Sequence, residues 1–506
     1  MERDVLGGKP CRAFSLVLLL ALIAALTMTH PNLWASEASP GSHRRMASSL
    51  SNQGENETAE AGEEDDYMED LLGESSGAGD TATAPAVDRK NFPLDYEGEL
   101  VAHLWAPNDY DHEWHTTDRL DLKGWGDIGA IRMAGRFRLD YQDLEKDAKA
   151  RTDLRELFAT YQLRPSAVSY VDLTIGKKIL YWGKGDEVRP IDRVCPEDLN
   201  ALYFYNLNDR KTGRIGTFLD VQFTRRLRFE GFWSPYFEAS QTPESGDYYE
   251  PALLRQLTGA GIGIDGEDEP DAWSADAGIG GRFMFSLFKA DLALYAFHGY
   301  DPKPSYGIHR LGPDPYFGLP IVPQSINATY PRMTLFGADV ERTLGAVVLR
   351  AEAAYQSRGA WFALDWQQDP TLLLETPRGN VEKDQLQYVV GLDKSDLFIR
   401  NLFFNLQLLG SHIFDHDPRM VASESQTGMT AYLRYAWLDS KLEIWYRYML
   451  IFQDEDQRHH FEITYKPLSW AQAGIGAVAF DGGGDTTTFG QYADRDFVYA
   501  KMKLIF

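Results

Sequence analysis

From Gly129 to Phe506 one unit recurs: a stretch of about ten residues in which apolar and polar side chains alternate. The links between these stretches are short and long by turns. Period-two alternation means β-strands whose two faces meet different surroundings. In 129–141, Ile131, Met133, Phe137, Leu139 and Tyr141 share one register, and Arg132, Arg136, Arg138 and Asp140 the other. In 441–451, Leu442, Ile444, Tyr446, Tyr448 and Leu450 oppose Glu443, Trp445, Arg447 and Met449. Tight links fall at 164–166, 225–226, 287–288, 342–344 and 438–440, and long ones at 184–212, 237–273, 300–330, 357–385, 413–426 and 481–494. A soluble sandwich gives no reason for this rhythm. An outer-membrane barrel does, because its turns are short on the periplasmic side and its loops long outside.

The pattern predicts an all-β, transmembrane antiparallel β-barrel of sixteen strands over 129–506. They are 129–141, 153–163, 167–183, 213–224, 227–236, 274–286, 289–299, 331–341, 345–356, 386–394, 401–412, 427–437, 441–451, 458–466, 471–480 and 495–506. Stretches 96–105 and 119–122 either add two strands, making eighteen, or belong to an N-terminal extension over 96–128. A charge at the lipid midplane costs about 2–4 kcal/mol, so the charged register faces the lumen. Trp233, Tyr236, Trp437, Tyr465 and Trp470 near strand ends suit interfacial girdles. The last strand carries Val498, Ala500, Met502, Leu504 and Phe506 in one register. Taken alone it fits an edge strand of a sandwich equally well. It also resembles the C-terminal signature that barrel-insertion machinery reads, with Phe506 as the recognised end.

Ahead of the barrel, residues 1–38 read as a secretory signal peptide: Arg3, Lys9 and Arg12 precede an apolar run from Ala13 to Met28. Cys11 precedes that run, and Cys195 is the one later cysteine, so there is no disulfide framework. Residues 39–95 read as a disordered acidic periplasmic segment. Glu37 to Asp95 holds 14 acidic against 4 basic residues, a composition that cannot bury a core. Within it, 63–72 places Tyr67, Met68, Leu71 and Leu72 on one helical face. The functional reading is a docking motif for a periplasmic partner, and the plainer one a solvated tail. No apolar run of about 18 residues follows the signal peptide. Mean hydropathy of −0.37 agrees with a barrel, whose apolar residues alternate with polar ones.

No constellation suggests an enzyme. His459-His460 is a lone pair. His412 and His416 flank a strand end beside Asp415 and Asp417, an acidic loop rather than a helical metal face. No cofactor or metal is expected, and no basic stripe suggests nucleic acid. The lumen inventory carries more. Arg132, Arg136, Arg138, Lys501 and Lys503 would meet on one wall if the strand starting at Gly129 closed against the last. That wall reads as a cationic track for anions, or as interior ion pairs. Asp339, Glu341, Arg350, Glu352, Glu443, Arg447 and Glu462 are further inward charges. The link 184–212 follows the third expected strand and is long enough to fold inward as a constriction. Its charges are Lys184, Asp186, Glu187, Arg189, Asp192, Arg193, Glu197 and Asp198.

Around that link, Gly176, Trp182, Gly183, Asp192, Val194, Pro196, Asp198 and Leu199 form a G-K-x-x-x-x-W-G…D-x-V-x-P-x-D-L run. The run resembles a family of outer-membrane barrels of unknown function, similar to the alginate-export group. Cys195 stands where that family's pattern suggests Asn. The resemblance implies a barrel and an outer-membrane address, and supplies no substrate. The expected function is a channel for a small or linear polar solute, anionic if the basic track is open. The alternative is a structural sheath or the outer-membrane partner of an export or electron-transfer complex. Membrane lipid is the expected partner of the outer face.

Overall fold

The computed structural model describes residues 95–107, 114–144, 149–166, 168–313, 322–484 and 487–506. The expected signal peptide lies outside them, as does the acidic segment up to its last residue, Asp95. The described strands are β1 (Asp95–Pro107), β2 (His115–Ile128), β3 (Ile131–Gln142), β4 (Lys149–Ser166), β5 (Ser169–Lys178), β6 (Arg214–Thr224), β7 (Leu227–Tyr236), β8 (Gly263–Asp268), β9 (Trp273–Leu287), β10 (Ala290–Tyr300) and β11 (Ser305–Gly312). They continue as β12 (Val322–Thr329), β13 (Arg332–Leu344), β14 (Val347–Ala363), β15 (Asn380–Lys394), β16 (Leu402–Ile413), β17 (Ser425–Trp437), β18 (Leu442–Ile451), β19 (Asp456–Leu468), β20 (Ala471–Asp481) and β21 (Phe497–Ile505).

Eighteen of these strands form one closed antiparallel barrel. Each pairs with the next in the chain, passing over β8, β11 and β12, and β21 returns to β1 with Glu99 opposite Ile505 and Pro107 opposite Phe497. The three omitted strands make a separate sheet among the long links, with β12 antiparallel to β11 and parallel to β8. All sixteen expected strands lie in the ring with shifted ends, and the uncertain stretches 96–105 and 119–122 lie in β1 and β2. The ring therefore closes through β1, not between β3 and β21. Strand β5 stops at Lys178 instead of 183, because Ile179 turns inward and donates its N–H to the Glu156 carboxylate at 2.8 Å.

The alternation sorts as the physics requires. In β3, Ile131, Met133, Phe137, Leu139 and Tyr141 are exposed on the outer face, while Arg136, Arg138 and Asp140 are buried inside. Trp233, Trp437, Tyr465 and Trp470 are also exposed.

The lumen is not empty. Residues 179–213, with the short helix α1 (Leu207–Arg210), cross it and help build two buried clusters. One packs Trp182, Ile191, Val194 and Cys195 against Phe218, Phe232, Tyr295, Phe297, Met333 and Leu335 of the wall. The other gathers Ala201 and Tyr205 with Trp105, Tyr249, Phe480, Tyr492 and Phe497. Each large apolar side chain so buried contributes about 1.5–3 kcal/mol. Trp182, Ile191 and Val194 together therefore hold the segment firmly.

Candidate functional site

The site is the meeting of this crossing segment with the wall. Because β1 and β2 belong to the ring, the segment follows the fifth barrel strand, not the third as the sequence count had it. Gly183 has φ +82°, and a Cβ there would lie 2.5 Å from the Glu352 carboxylate, so a side chain is excluded both by backbone conformation and by space. The tight approach lets Glu352 on β14 accept three backbone N–H groups, from Lys184 at 2.7 Å, Gly185 at 3.1 Å and Ile191 at 2.8 Å.

Beyond this anchor the tip reaches the far wall. Asp186 accepts from Arg350 on β14 at 3.2 Å, and from Asn405 at 2.6 Å and Gln407 at 2.8 Å, both on β16. Glu187 lies 2.7 Å from Arg447 on β18 and also pairs with Arg458 on β19. Burial pushes the Glu187 carboxyl up, but the two guanidiniums outweigh it and hold it down at about 2. Lys184 Nζ is 3.8 Å from Glu341, which also pairs with Arg350 at 3.1 Å. Arg193 donates to Gln356 on β14 at 2.8 Å and to Asp301.

The other expected constriction charges fold the segment on itself or tie it to neighbouring links. Arg189 donates to Asn208 at 2.6 Å, and Asp192 pairs with Lys211. Glu197 lies 3.2 Å from Lys303, and Asp198 accepts the Asn200 N–H at 3.0 Å. The remaining motif positions serve the same fold. Trp182 meets Phe232 edge-on and its backbone N–H donates to Asp192, while the Val194 carbonyl accepts from Arg214. The Pro196 carbonyl accepts from Thr212 at 2.9 Å, and the Leu199 N–H donates to Gln241 at 2.9 Å. At Gly176, a Cβ would strike the Leu157 carbonyl at 2.2 Å.

The expected basic track does not form as one wall. Strands β1 and β2 stand between β3 and β21 and bring acids with them. Arg136 and Arg138 meet Asp121 at 3.1 and 2.9 Å, and Arg119 lies between Asp121 at 3.0 Å and Asp209 at 2.8 Å. The Asp209 carboxyl, pushed up by burial, is held well below the usual range by Arg119, Arg138 and Arg136. Arg132 pairs with Asp127 at 3.0 Å, Lys501 with Glu462 at 2.7 Å and Lys503 with Glu99 at 3.0 Å. The interior ion-pair alternative describes this wall. The other inward charges are also partnered: Asp339 accepts from Tyr295, and Glu443 lies 3.0 Å from Lys466.

Sequence reasoning missed Asp121, Asp209, Asn405, Gln407 and Arg458. Arg458 shares the inward register with Glu462 and was legible there. Asp121 meets Arg136 and Arg138 on the adjacent β3 and was missed because the sequence leaves β2 undecided, while Asp209, Asn405 and Gln407 meet partners far off in the chain, which no local pattern signals. Among the described residues no group of three His, Cys, Asp or Glu is placed to hold a metal. His412 and His416 bond Ser425 and the Ala422 carbonyl.

Residues 102–506 match a family described as a protein of unknown function, DUF1302. The chain belongs to the DUF1302 family. That span takes in nearly the whole ring and every motif residue of the crossing segment. Among curated proteins none matches this DUF1302 chain. Solved structures similar to it include Acinetobacter baumannii OccAB3 (11% identity, 81% of this chain and 99% of that one, TM-score 0.44). Others are Pseudomonas aeruginosa OpdK with vanillate (11%, 81% and 98%, TM-score 0.43) and a mutant Rh. blastica porin (10%, 82% and 100%, TM-score 0.37).

Proposed function

We propose that this DUF1302 barrel is an outer-membrane channel for passive passage or export of a small or linear polar solute, narrowed by the crossing segment. The observation that carries the reading is the clamp of Asp186 and Glu187 onto β14, β16, β18 and β19. Two apolar clusters line other parts of the segment's seat, so the sector with polar walls is where a hydrated solute would pass. A ring of eighteen strands is wide enough for an aqueous bore. The exposed apolar face suits lipid, Phe506 would be the end read during insertion, and the acidic segment is the candidate for docking a periplasmic partner. The likeness of the motif to alginate-export barrels belongs to the same reading and names no solute.

The test is current through the purified barrel in a planar bilayer, with Glu187→Gln and Asp186→Asn beside the wild type. Channel events in the wild type and larger events in the variants support the proposal. A silent wild type, with silent variants, sinks it. The filled lumen favours one second reading, a barrel that works only as the outer end of a complex. Conductance that appears only with a periplasmic partner would carry that version.

A further inference from the structure

We propose that the lumen wall on the short-turn side of the constriction carries a subsite for an organic carboxylate with a flat apolar body. Arg434 is its anion-binding group, and Phe403, Tyr432 and Trp445 are its apolar surfaces. Phe403 on β16, Arg434 on β17 and Trp445 on β18 lie directly opposite one another across the sheet. They share the inward register with Asn405, Tyr432 and Arg447, whose rung meets the segment tip. The Arg434 rung lies two residues nearer the turn at 438–440, about 7 Å along the strand.

Arg434 differs from its neighbours in one respect. The other inward cations of this sector have carboxylates: Arg350 has Glu341 at 3.1 Å, Arg447 has Glu187 at 2.7 Å, Lys466 has Glu443 at 3.0 Å and Lys501 has Glu462 at 2.7 Å. Among the described residues the Arg434 guanidinium has no ion pair or hydrogen bond. It lies over the Phe403 ring at 5.7 Å. Stacking occupies the face of a guanidinium and leaves its in-plane N–H fork open, which matches a carboxylate in two-point geometry. Glu443 and Glu462, the nearest acids on β18 and β19, are taken by lysines.

Tyr432 and Trp445 flank Arg434 in the inward register, with Arg447 over the two rings at 4.9 and 5.5 Å. Phe403 and Tyr432 have centroids 6.1 Å apart, and Tyr432 and Trp445 6.0 Å. All four side chains are half-buried, so the lumen reaches them, and partial burial strengthens a charge–charge contact over its worth in water. An inorganic anion would use Arg434 alone. A ring-bearing carboxylate uses the fork and the rings together.

This inference rests on the channel reading for what the ligand does there, and its test does not need conduction. Calorimetric titration of the detergent-solubilised full barrel with benzoate should show binding, with acetate and benzyl alcohol each weaker. Arg434→Gln should lower benzoate affinity about tenfold or more. Arg226→Gln, in an exposed tight turn, should leave it unchanged. Folding is checked by heat-dependent gel mobility. If Arg434→Gln does not fold, Arg434→Lys keeps the charge, loses the fork and should weaken binding several-fold. Absent benzoate binding, equal affinity in the Arg434 variants, or acetate binding as well as benzoate overturns the proposal. Binding without conductance would remove the channel reading and leave the subsite, and conductance without binding would do the reverse.

Discussion

Glu187 and Arg458 are paired inside the lumen although they lie 271 positions apart in the chain. With Arg447, also on that wall, Arg458 fixes the tip of the crossing segment. Removing the acid leaves a buried and a half-buried cation without their shared carboxylate. Glu187→Gln should therefore destabilise the barrel by about 3 kcal/mol, read as a lowered midpoint of heat-dependent gel mobility. An unchanged midpoint would show that the clamp is not held by charge.

The same carboxylate predicts a pH response. Its folded-state value is depressed to about 2 against an ordinary 4.5. The stabilisation is then complete above 4.5 and fades as pH falls toward 2. Tip release should follow, and single-channel current should rise across that window in the wild type. In Glu187→Gln the current should be high already and flat with pH.

Gly183→Ala tests the anchor. The substitution combines left-handed backbone with a collision against Glu352, so the expected cost is about 2–3 kcal/mol. Gly345 has φ +65° with nothing near its missing Cβ, and Gly345→Ala should cost about 1 kcal/mol from backbone conformation alone. Equal midpoints for the two variants would show that contact with Glu352 adds nothing.

Asp496, just ahead of β21, behaves in the opposite sense to Glu187. Burial raises its carboxyl to about 6, against the Phe480 N–H that donates to it at 2.8 Å. A raised acid stabilises the fold below its ordinary value of 3.8 and loses that contribution as pH climbs through 6. The wild type should melt lower at pH 8 than at pH 5, and Asp496→Asn should reduce the difference. A pH-independent wild type would contradict this.

Cys195 is 1% exposed, burial raises its thiol above the ordinary range, and its sulfur meets the Leu180 N–H at 3.2 Å. A maleimide should fail to label the folded barrel and should label it fully after denaturation. Rapid labelling of the folded protein would mean that the segment leaves its seat.

What could be read from the chain beforehand follows from how local each signal is. The contrast between Ile131, Met133 or Phe137 and Arg132 or Arg136 is set by two environments a few ångströms apart, so it is written at period two. The tight links are equally local. Strand β2 was harder: Gly124 and Gly126 supply no apolar face, and only 119–122 alternates visibly. Leaving that strand undecided and counting from Gly129 misplaced the closure, and with it the supposed wall of Arg132, Arg136, Arg138, Lys501 and Lys503. The inward link was suggested by length and charge, but its contacts were not. Asp186 meets Gln407 across 221 positions, a distance at which sequence spacing carries no geometry.

The wall is hollowed where the segment rests. A Cβ at Gly280 would lie 3.1 Å from the Trp182 ring, and one at Gly337 would lie 2.8 Å from Ile191. Cutting out the insert to make a wide-bore pore would therefore leave pits beside stranded Phe232 and Tyr295 rings. An engineer wanting such a pore would have to replaster the inner surface in the same step.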